Sequence, residues 1–172
     1  MNEIIKNLTE RRSIKKYKSE MPKSEDIDTV INAGISAASG RNMQSPIVVA
    51  ITDKATRDRL SAANAKVMGA DGDPFYNAPC ILVVLAHKDC RTYLYDGSLV
   101  MGNMMTAAHS LGLGSCWVHR AKEVFMLDEW QQWLRSIGVD GDYEGIGNLL
   151  LGYPDCEYPA KKERNSGRVF YV

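Results

Sequence analysis

The sequence lacks the features that most directly indicate a catalytic or targeting mechanism. It has no serine in a G-x-S-x-G turn, no Cys-x-x-Cys pair and no apolar run of the roughly 20 residues that span a bilayer. Its 21 lysines and arginines equal its 21 aspartates and glutamates, so no global field attracts nucleic acid or a membrane surface. We therefore expect no nucleic-acid partner, no membrane partner and no hydrolase of the nucleophile-elbow type.

Cysteine is scarce and shows no pairing pattern. The chain has four cysteines, and free cysteine in a strand behaves as a small buried hydrophobe. His87 and Cys90 have a spacing that suits metal ligands, but no second pair accompanies them, and Asp71-Gly72-Asp73 is too short for a calcium loop. We predict no metal site. With no recognisable signal peptide, a reducing cytoplasm is the expected location.

The length of 172 residues suits a single domain, residues 1–172, without internal repeat or linker. Hydrophobic periodicity predicts helices over residues 2–10, about 22–35, 53–68, about 96–111, and 121–137 with a break near Asp128. Apolar runs predict strands at 47–52, 80–86, 115–119 and 145–151, and residues 169–172 have the composition of an edge strand. The pattern indicates an α+β sandwich, one sheet with helices on it.

The stretch from Asp96 to His119 organises the rest of the chain. Its helical part is apolar on nearly every face, which predicts a helix buried in a core or an interface. Gly112 and Gly114 then end the helix and lead into a strand. His109, inside the helix, is more typical of a hydrogen-bonded core residue than of a ligand. In the loop 69–79, Phe75 and Tyr76 have the setting of exposed aromatics.

Three polar segments are candidates for binding. Arg11 to Lys16, RRSIKK, offers guanidinium groups suited to phosphate oxygens, and Lys162-Glu163-Arg164 places a second basic cluster near the other end of the chain. The loop Ser39 to Gln44, SGRNMQ, carries amides that can pair with a heterocycle. Each segment taken alone is equally typical of solvated surface.

The remaining motifs indicate little chemistry of their own. The segment GLGS at 112–115 precedes a strand, whereas a dinucleotide fingerprint follows one and opens a helix. No set of residues forms a nucleophile with its base. Two basic clusters and an amide-rich loop instead suit an anionic heterocyclic cofactor that supplies the chemistry itself.

Taken together, these motifs resemble those of the nitroreductase-like flavoproteins, which bind FMN. The resemblance covers nearly the whole chain and rests on motifs in a fixed order. They are RRSIKKY at 11–17, SGRNMQ at 39–44, DPFYNAP at 73–79, LGLGSCW at 111–117, LLLGYP at 149–154 and K-x-R at 162–164.

The resemblance implies a particular architecture. We expect a nitroreductase-like sandwich whose central, mostly antiparallel sheet is flanked by helices, in an intertwined homodimer. Two FMN sites would lie at the interface, and the central helix would be buried between subunits. The C-terminal tail, about residues 155–172, would reach across the partner, and Arg168 to Val172 suits that role.

The same resemblance assigns roles to single residues. The phosphate of FMN would be bound by Arg11, Lys162 and Arg164. Arg12 and Ser13 would contact the phosphate, ribityl chain or ring edge, and Lys15 would approach the pyrimidine end. The partner chain would supply most of Ser39, Gly40, Asn42 and Gln44. Asn64 is assigned to the pyrimidine edge. Trp117, Val118 and His119 would lie along the flavin, with the His119 backbone N–H facing N5.

The implied activity is ping-pong transfer of hydride from NADH or NADPH through FMN to an electrophile such as a nitroaromatic or a quinone. No protein side chain is needed as a nucleophile. Two other interpretations stay open: a flavoprotein that stores or senses FMN, and a degenerate fold that binds another phosphate ligand. The chain departs from the family where Gln44-Ser45-Pro46-Ile47 lacks a tryptophan, and where His119-Arg120 replaces a small or acidic turn.

Overall fold

A computed structural model describes all residues, 1–172, as a four-stranded antiparallel sheet covered by helices. The strands are β1 (Pro46–Ile51), β2 (Cys80–His87), β3 (Gly114–Val118) and β4 (Tyr143–Gly152), in the spatial order β1-β2-β4-β3. The helices are α1 (Glu3–Glu10), α2 (Ser24–Ile35), α3 (Lys54–Met68), α4 (Tyr93–Ser110), α5 (Ala121–Phe125) and α6 (Asp128–Ser136). A short 3₁₀ turn covers Gly40–Asn42. The predicted α+β sandwich is confirmed.

Strand β2 shows why the sheet needs cover on both faces. Every residue from Cys80 to Ala86 is buried. Alternate side chains point to opposite faces of a strand, so Ile81 and Val83 enter one core and Leu82 and Val84 enter the other. Helices α3, α5 and α6 close the first core, and α2 and α4 close the second. A continuous apolar strand is therefore the central feature of the fold.

Helix boundaries follow local signals. Asp53 caps α3 by accepting a hydrogen bond from the backbone N–H of Thr56 at 2.8 Å, and Gly69, with φ of +67°, ends the helix in a left-handed turn. The predicted break near Asp128 is confirmed, since α5 ends at Phe125 and α6 begins at Asp128.

Three local expectations were wrong. Residues 169–172 form no strand, because no sheet edge lies beside this exposed end of the chain. Phe75 is fully buried, and only Tyr76 of the two loop aromatics is exposed. His109 is half-buried rather than a core residue, and it is stacked against Tyr158.

Helix α4 is buried on one face only within a single chain. Met101 and Met104 lie in the core beneath the sheet, whereas Leu94, Tyr95 and Leu99 are exposed. The apolar side chains of α1 are exposed as well. The second apolar face that the sequence shows on α4 thus lacks cover from its own chain. None of the helices combines the length and the apolarity that a membrane span requires.

A buried ion pair holds the loop between α3 and β2. Arg57, which is 7% exposed, contacts Asp73 at 2.5 Å and donates to the carbonyl of Ala78 at 3.0 Å. Asp73 also accepts from the Ser61 hydroxyl and from two backbone N–H groups of its own loop. Burial by itself raises the pKa of Asp73, but these hydrogen bonds outweigh it and lower that pKa below its usual value.

We predict that Asp73→Asn lowers the free energy of unfolding by about 2–4 kcal/mol at pH 7, because it removes the carboxylate that pairs with Nη2 of the buried Arg57 and leaves only the partly exposed Asp58 beside this guanidinium. A depressed pKa stabilises the folded state fully above about pH 4, the unfolded pKa, and this contribution is lost as the pH falls through the folded pKa. Urea denaturation of both proteins between pH 7 and pH 3 should show the difference shrinking in acid. A difference that stays constant would contradict the assignment.

Candidate functional site

The basic segment Arg11 to Tyr17 lies along the outer edge of β3. Ser13 and Ser115 form a parallel bridge, and the backbone N–H of Ile14 donates to the carbonyl of Ser115 at 3.0 Å. Ile14 is buried directly against Gly114, where a Cβ would lie only 2.9 Å from the Ile14 Cβ. This close approach requires glycine at 114 and fixes the basic segment beside the strand.

The chain beyond β4 returns along the same segment, so the two ends of the chain meet. The backbone N–H of Lys18 donates to the Tyr153 carbonyl at 2.9 Å, and that of Asp155 donates to the Lys16 carbonyl at 3.0 Å. The Tyr158 hydroxyl then accepts from the backbone N–H of Arg12 at 2.8 Å. Because Tyr158 is anchored here, the tail that follows starts beside the first basic cluster.

Tyr158 also contacts His109 of α4, with 3.0 Å between the hydroxyl and Nδ1 and the two rings stacked. Burial lowers the pKa of His109, and the nearby charge of Arg11 lowers it further. The Nδ1 atom of a neutral imidazole can accept a hydrogen bond from the Tyr158 hydroxyl. Lys162 and Arg164 follow four and six residues after Tyr158 and are exposed.

The two leading arginines differ in what their side chains do. The Nη1 atom of Arg12 donates to the carbonyls of Thr9, Glu10 and Arg11, which satisfies the end of α1. The Nη1 atom of Arg11 is buried and has no hydrogen-bond partner. Burying a cationic donor without an acceptor is unfavourable in free energy. This nitrogen is therefore a candidate to bind an anion.

A cavity of about 370 Å³ opens next to this segment, between β3, the end of α3 and the loop 71–76. Lys15 lies on one side, with its Nζ 5.5 Å from the centre of the Tyr76 ring. The floor is the strand itself, Cys116 to Val118, and the far end is the turn at His119 and Arg120. The cavity thus combines one flat, partly apolar surface with cations at its edges.

The thiol in this cavity is poorly suited to act as a nucleophile. Burial raises the pKa of Cys116, although Lys15, Ser13 and Arg11 act in the opposite direction. A thiol with a raised pKa stays protonated at neutral pH. Trp117 Nε1, beside it, is buried and unpartnered and lies so close to Gly147 that a Cβ there would clash with it. The cavity therefore provides binding groups rather than a reactive side chain.

Two asparagines hold the turn at the end of β3. The amide nitrogens of Asn64 and Asn148 donate to the carbonyl of His119 at 2.9 and 3.3 Å, and both side chains are fully buried. The observed contact of Asn64 is thus inside the protein, and its Oδ1 has no partner. The His119 side chain is exposed.

The amide-rich loop is ordered by contacts to the start of α4. The backbone N–H of Gly40 donates to the buried carboxylate of Asp96 at 3.0 Å, and Thr92 leaves no room for a side chain at position 40. Within the loop, Gln44 donates from its backbone to the Ser39 hydroxyl and from its side chain to Asn42, each at 3.0 Å. Asn42 and Gln44 both have positive φ, so this loop is a defined structure rather than a loose connection.

One chain does not bring all the predicted residues together. Segments 11–15 and 117–119 share the cavity region at β3, and the tail with Lys162 starts near it. The loop 39–44 precedes β1, which is the opposite edge of the sheet. Three strand spacings, about 14 Å, separate the two edges. The loop and the cavity of one chain therefore lie on different sides of the molecule.

Sequence reasoning missed several residues of the site. Tyr158, Asn148 and the ring of Tyr76 gain their positions from contacts between distant segments, and no local pattern signals them. Arg120 is different, because its place in an unusual turn was visible in the sequence. The structure shows it in a left-handed conformation at the rim of the cavity.

Comparison with known proteins agrees with this geometry. The model of the Nitroreductase family matches residues 8–153. A Bacillus subtilis protein named FMN reductase [NAD(P)H] is 30% identical and aligns with 95% of this chain and 70% of its own length. An Archaeoglobus fulgidus protein provisionally named NADH dehydrogenase/NAD(P)H nitroreductase is 29% identical over 98% of this chain and 97% of its own.

A solved structure has the same fold as this chain. The crystal structure of a nitroreductase with bound FMN from Bacteroides fragilis superimposes with a TM-score of 0.90, at 24% identity and with all of both chains covered. The family match extends over most of the chain, from α1 to the end of β4. The chain is a member of the Nitroreductase family.

Proposed function

We propose that this protein is an FMN-dependent oxidoreductase that takes electrons from NAD(P)H and reduces an electrophilic organic acceptor, such as a nitroaromatic or a quinone. The observation that carries the proposal is the buried, unpartnered Nη1 of Arg11, in the basic segment that lies along the edge of β3. Membership of the Nitroreductase family and relatives named as FMN reductases support the same cofactor and donor.

The residues at β3 fit FMN. Arg11 supplies an unsatisfied cation for the phosphate, and Lys162 and Arg164 add charge from the tail that Tyr158 anchors. Ser13, exposed at the strand edge, and the guanidinium nitrogens of Arg12 other than Nη1 suit the phosphate, the ribityl chain or the ring edge. Trp117 to His119 form the surface along which the ring would lie, with the pyrimidine end towards Lys15 and Asn64. Ser39, Gly40, Asn42 and Gln44 complete the site from a partner chain.

The chemistry that bound FMN would supply is two-electron transfer from NAD(P)H to the acceptor. For a quinone the balance is NAD(P)H, a proton and the quinone giving NAD(P)⁺ and the hydroquinone. The protein contributes binding and electrostatics. Lys15 would stabilise negative charge at the pyrimidine end of the flavin, and the His119 backbone N–H would face N5. We propose a ping-pong order, in which donor and acceptor use the same open face in turn.

The proposal includes a homodimer. The exposed apolar faces of α1 and α4 need cover, and the loop 39–44 and the cavity of one chain lie at opposite sheet edges. A second copy answers both requirements, since its loop can meet the first chain's cavity. The single domain, residues 1–172, would extend its tail from about residue 155 across the partner. We also propose a cytoplasmic location, which four unpaired cysteines support.

The direct test is a visible absorption spectrum of the purified protein, followed by steady-state oxidation of NADH and NADPH with a quinone or nitroaromatic acceptor. We expect a retained oxidised-flavin spectrum and turnover with a ping-pong pattern. Retained flavin without turnover would indicate a storage or sensing protein. A protein that never retains flavin would contradict the proposal and favour another phosphate ligand.

We predict that Arg11→Ala and Arg164→Ala each weaken FMN binding about tenfold or more, because each removes a charge-assisted contact to the phosphate. Flavin fluorescence titration measures the affinity. Riboflavin, which lacks the phosphate, should bind these variants and the unmodified protein equally. Arg135→Ala, at an exposed position in the last turn of α6, serves as the matched control. Unchanged FMN affinity in the Arg11→Ala/Arg164→Ala double variant would contradict the phosphate assignment.

We predict that Leu99→Glu converts the dimer to a monomer and abolishes tight FMN binding, because a carboxylate on the exposed face of α4 cannot be buried without a partner. Sedimentation velocity gives the mass. Met126→Glu changes an equally apolar, exposed residue after α5, on the other side of the sheet, and should leave the dimer intact. An unmodified protein that binds FMN as a monomer would refute the shared site.

A further inference from the structure

Arg120 is the cation at the rim of the cavity whose side chain has no hydrogen-bond or ion-pair partner. It stands directly before α5 and makes no capping hydrogen bond with its side chain. It forms no ion pair, although it is only half-exposed and lines the cavity. A guanidinium held at a cavity rim without a carboxylate is a free recognition group for an anion.

The backbone at this point is maintained against a steric cost. Arg120 has φ of +74°, a left-handed conformation in which glycine or asparagine is favoured over other residues. The preceding carbonyl, that of His119, is held by the fully buried amides of Asn64 and Asn148. Strained residues kept in place by surrounding structure are often found at functional sites. Here the held turn directs an arginine to the cavity.

The other charges of the cavity do not neutralise this guanidinium. Asp73 is already satisfied by Arg57, Ser61 and its own loop, and Asp71 is exposed and unpaired. Lys15, the second cation of the cavity, lies on the side where the flavin pyrimidine is proposed. Arg120 is therefore left for a second ligand in the same space.

The apolar part of the cavity indicates the shape of that ligand. Met68, Pro74 and Tyr76 form one wall, and Tyr76 is held with φ of +51° at its exposed position. A flat aromatic ring can lie against a tyrosine while its substituent reaches a cation.

We propose that the acceptor is an aromatic or quinoid compound that carries a carboxylate or another anionic substituent, and that Arg120 binds this group. The proposal rests on the proposed function, because it names the substrate class of the same site. It assigns specificity to Arg120 and contact with the ring to Tyr76.

The test compares two acceptors with the FMN-loaded protein: 4-nitrobenzoate, which is anionic, and methyl 4-nitrobenzoate, which is its neutral counterpart. In Arg120→Asn, a residue that tolerates the left-handed turn, we expect the ratio of kcat/KM for acid over ester to fall about tenfold. Arg120→Lys should keep part of the preference, since it keeps the charge without the planar fork. Arg135→Asn, on exposed α6, should change nothing. An unchanged ratio in Arg120→Asn would overturn the proposal.

Two further arms separate the possible outcomes. Calorimetric titration with benzoate and benzyl alcohol measures binding without turnover, and only benzoate should lose affinity in Arg120→Asn. This result would support the anion site even if neither acceptor were reduced, in which case the proposed oxidoreductase activity alone would fail. If Arg120→Asn changes only the ratio of kcat/KM for NADPH over NADH, the guanidinium binds the additional phosphate of NADPH. The assignment of Arg120 to the acceptor would then be wrong.

Discussion

The burial of β2 on both faces is the constraint on which the rest of the molecule depends. A strand with no polar side chain from Cys80 to Ala86 cannot lie at a solvent-exposed surface, so it requires a neighbour on each side and helices above and below. With only four strands, this leaves β1 and β3 as the two edges. The edges are where backbone groups remain free, and both candidate binding segments lie beside them.

At the β3 edge, the fold places cations where the chain itself offers few anions. The basic segment lies against the strand through Ile14, and the return of residues 153–158 brings the second basic region to the same place. The Nη1 atom of Arg12 donates hydrogen bonds to carbonyls at the end of α1, whereas the Nη1 atom of Arg11 is buried and has no partner. Adjacent residues of one type thus serve different purposes, because one donates to helix carbonyls and the other has a buried nitrogen without an acceptor.

The other edge of the sheet shows that part of a proposed site can be well ordered in one chain although the site is incomplete there. The loop 39–44 is held by Asp96 and by its own side-chain hydrogen bonds, although the cavity at β3 lies at the opposite edge of the sheet. Helix α4 is likewise incompletely covered within one chain. One of its faces lies in the core, and the other exposes Leu94, Tyr95 and Leu99. A preformed loop and an uncovered apolar helix face suit a second subunit. A second subunit would also explain why helix α4 is apolar on nearly every face.

The sequence by itself determined the elements and the class of ligand. Continuous apolar runs, capping residues such as Asp53 and glycines at helix ends depend on neighbours in the chain, so the strands, most helix limits and the α+β class were predictable from local pattern. The order of short motifs further indicated the family. Only the tertiary structure decided that Phe75 is buried, that residues 169–172 form no strand, that Tyr158 anchors the tail and that Asn148 holds the turn before Arg120. Each of these depends on which distant segment lies opposite, and a local pattern carries no information about that partner.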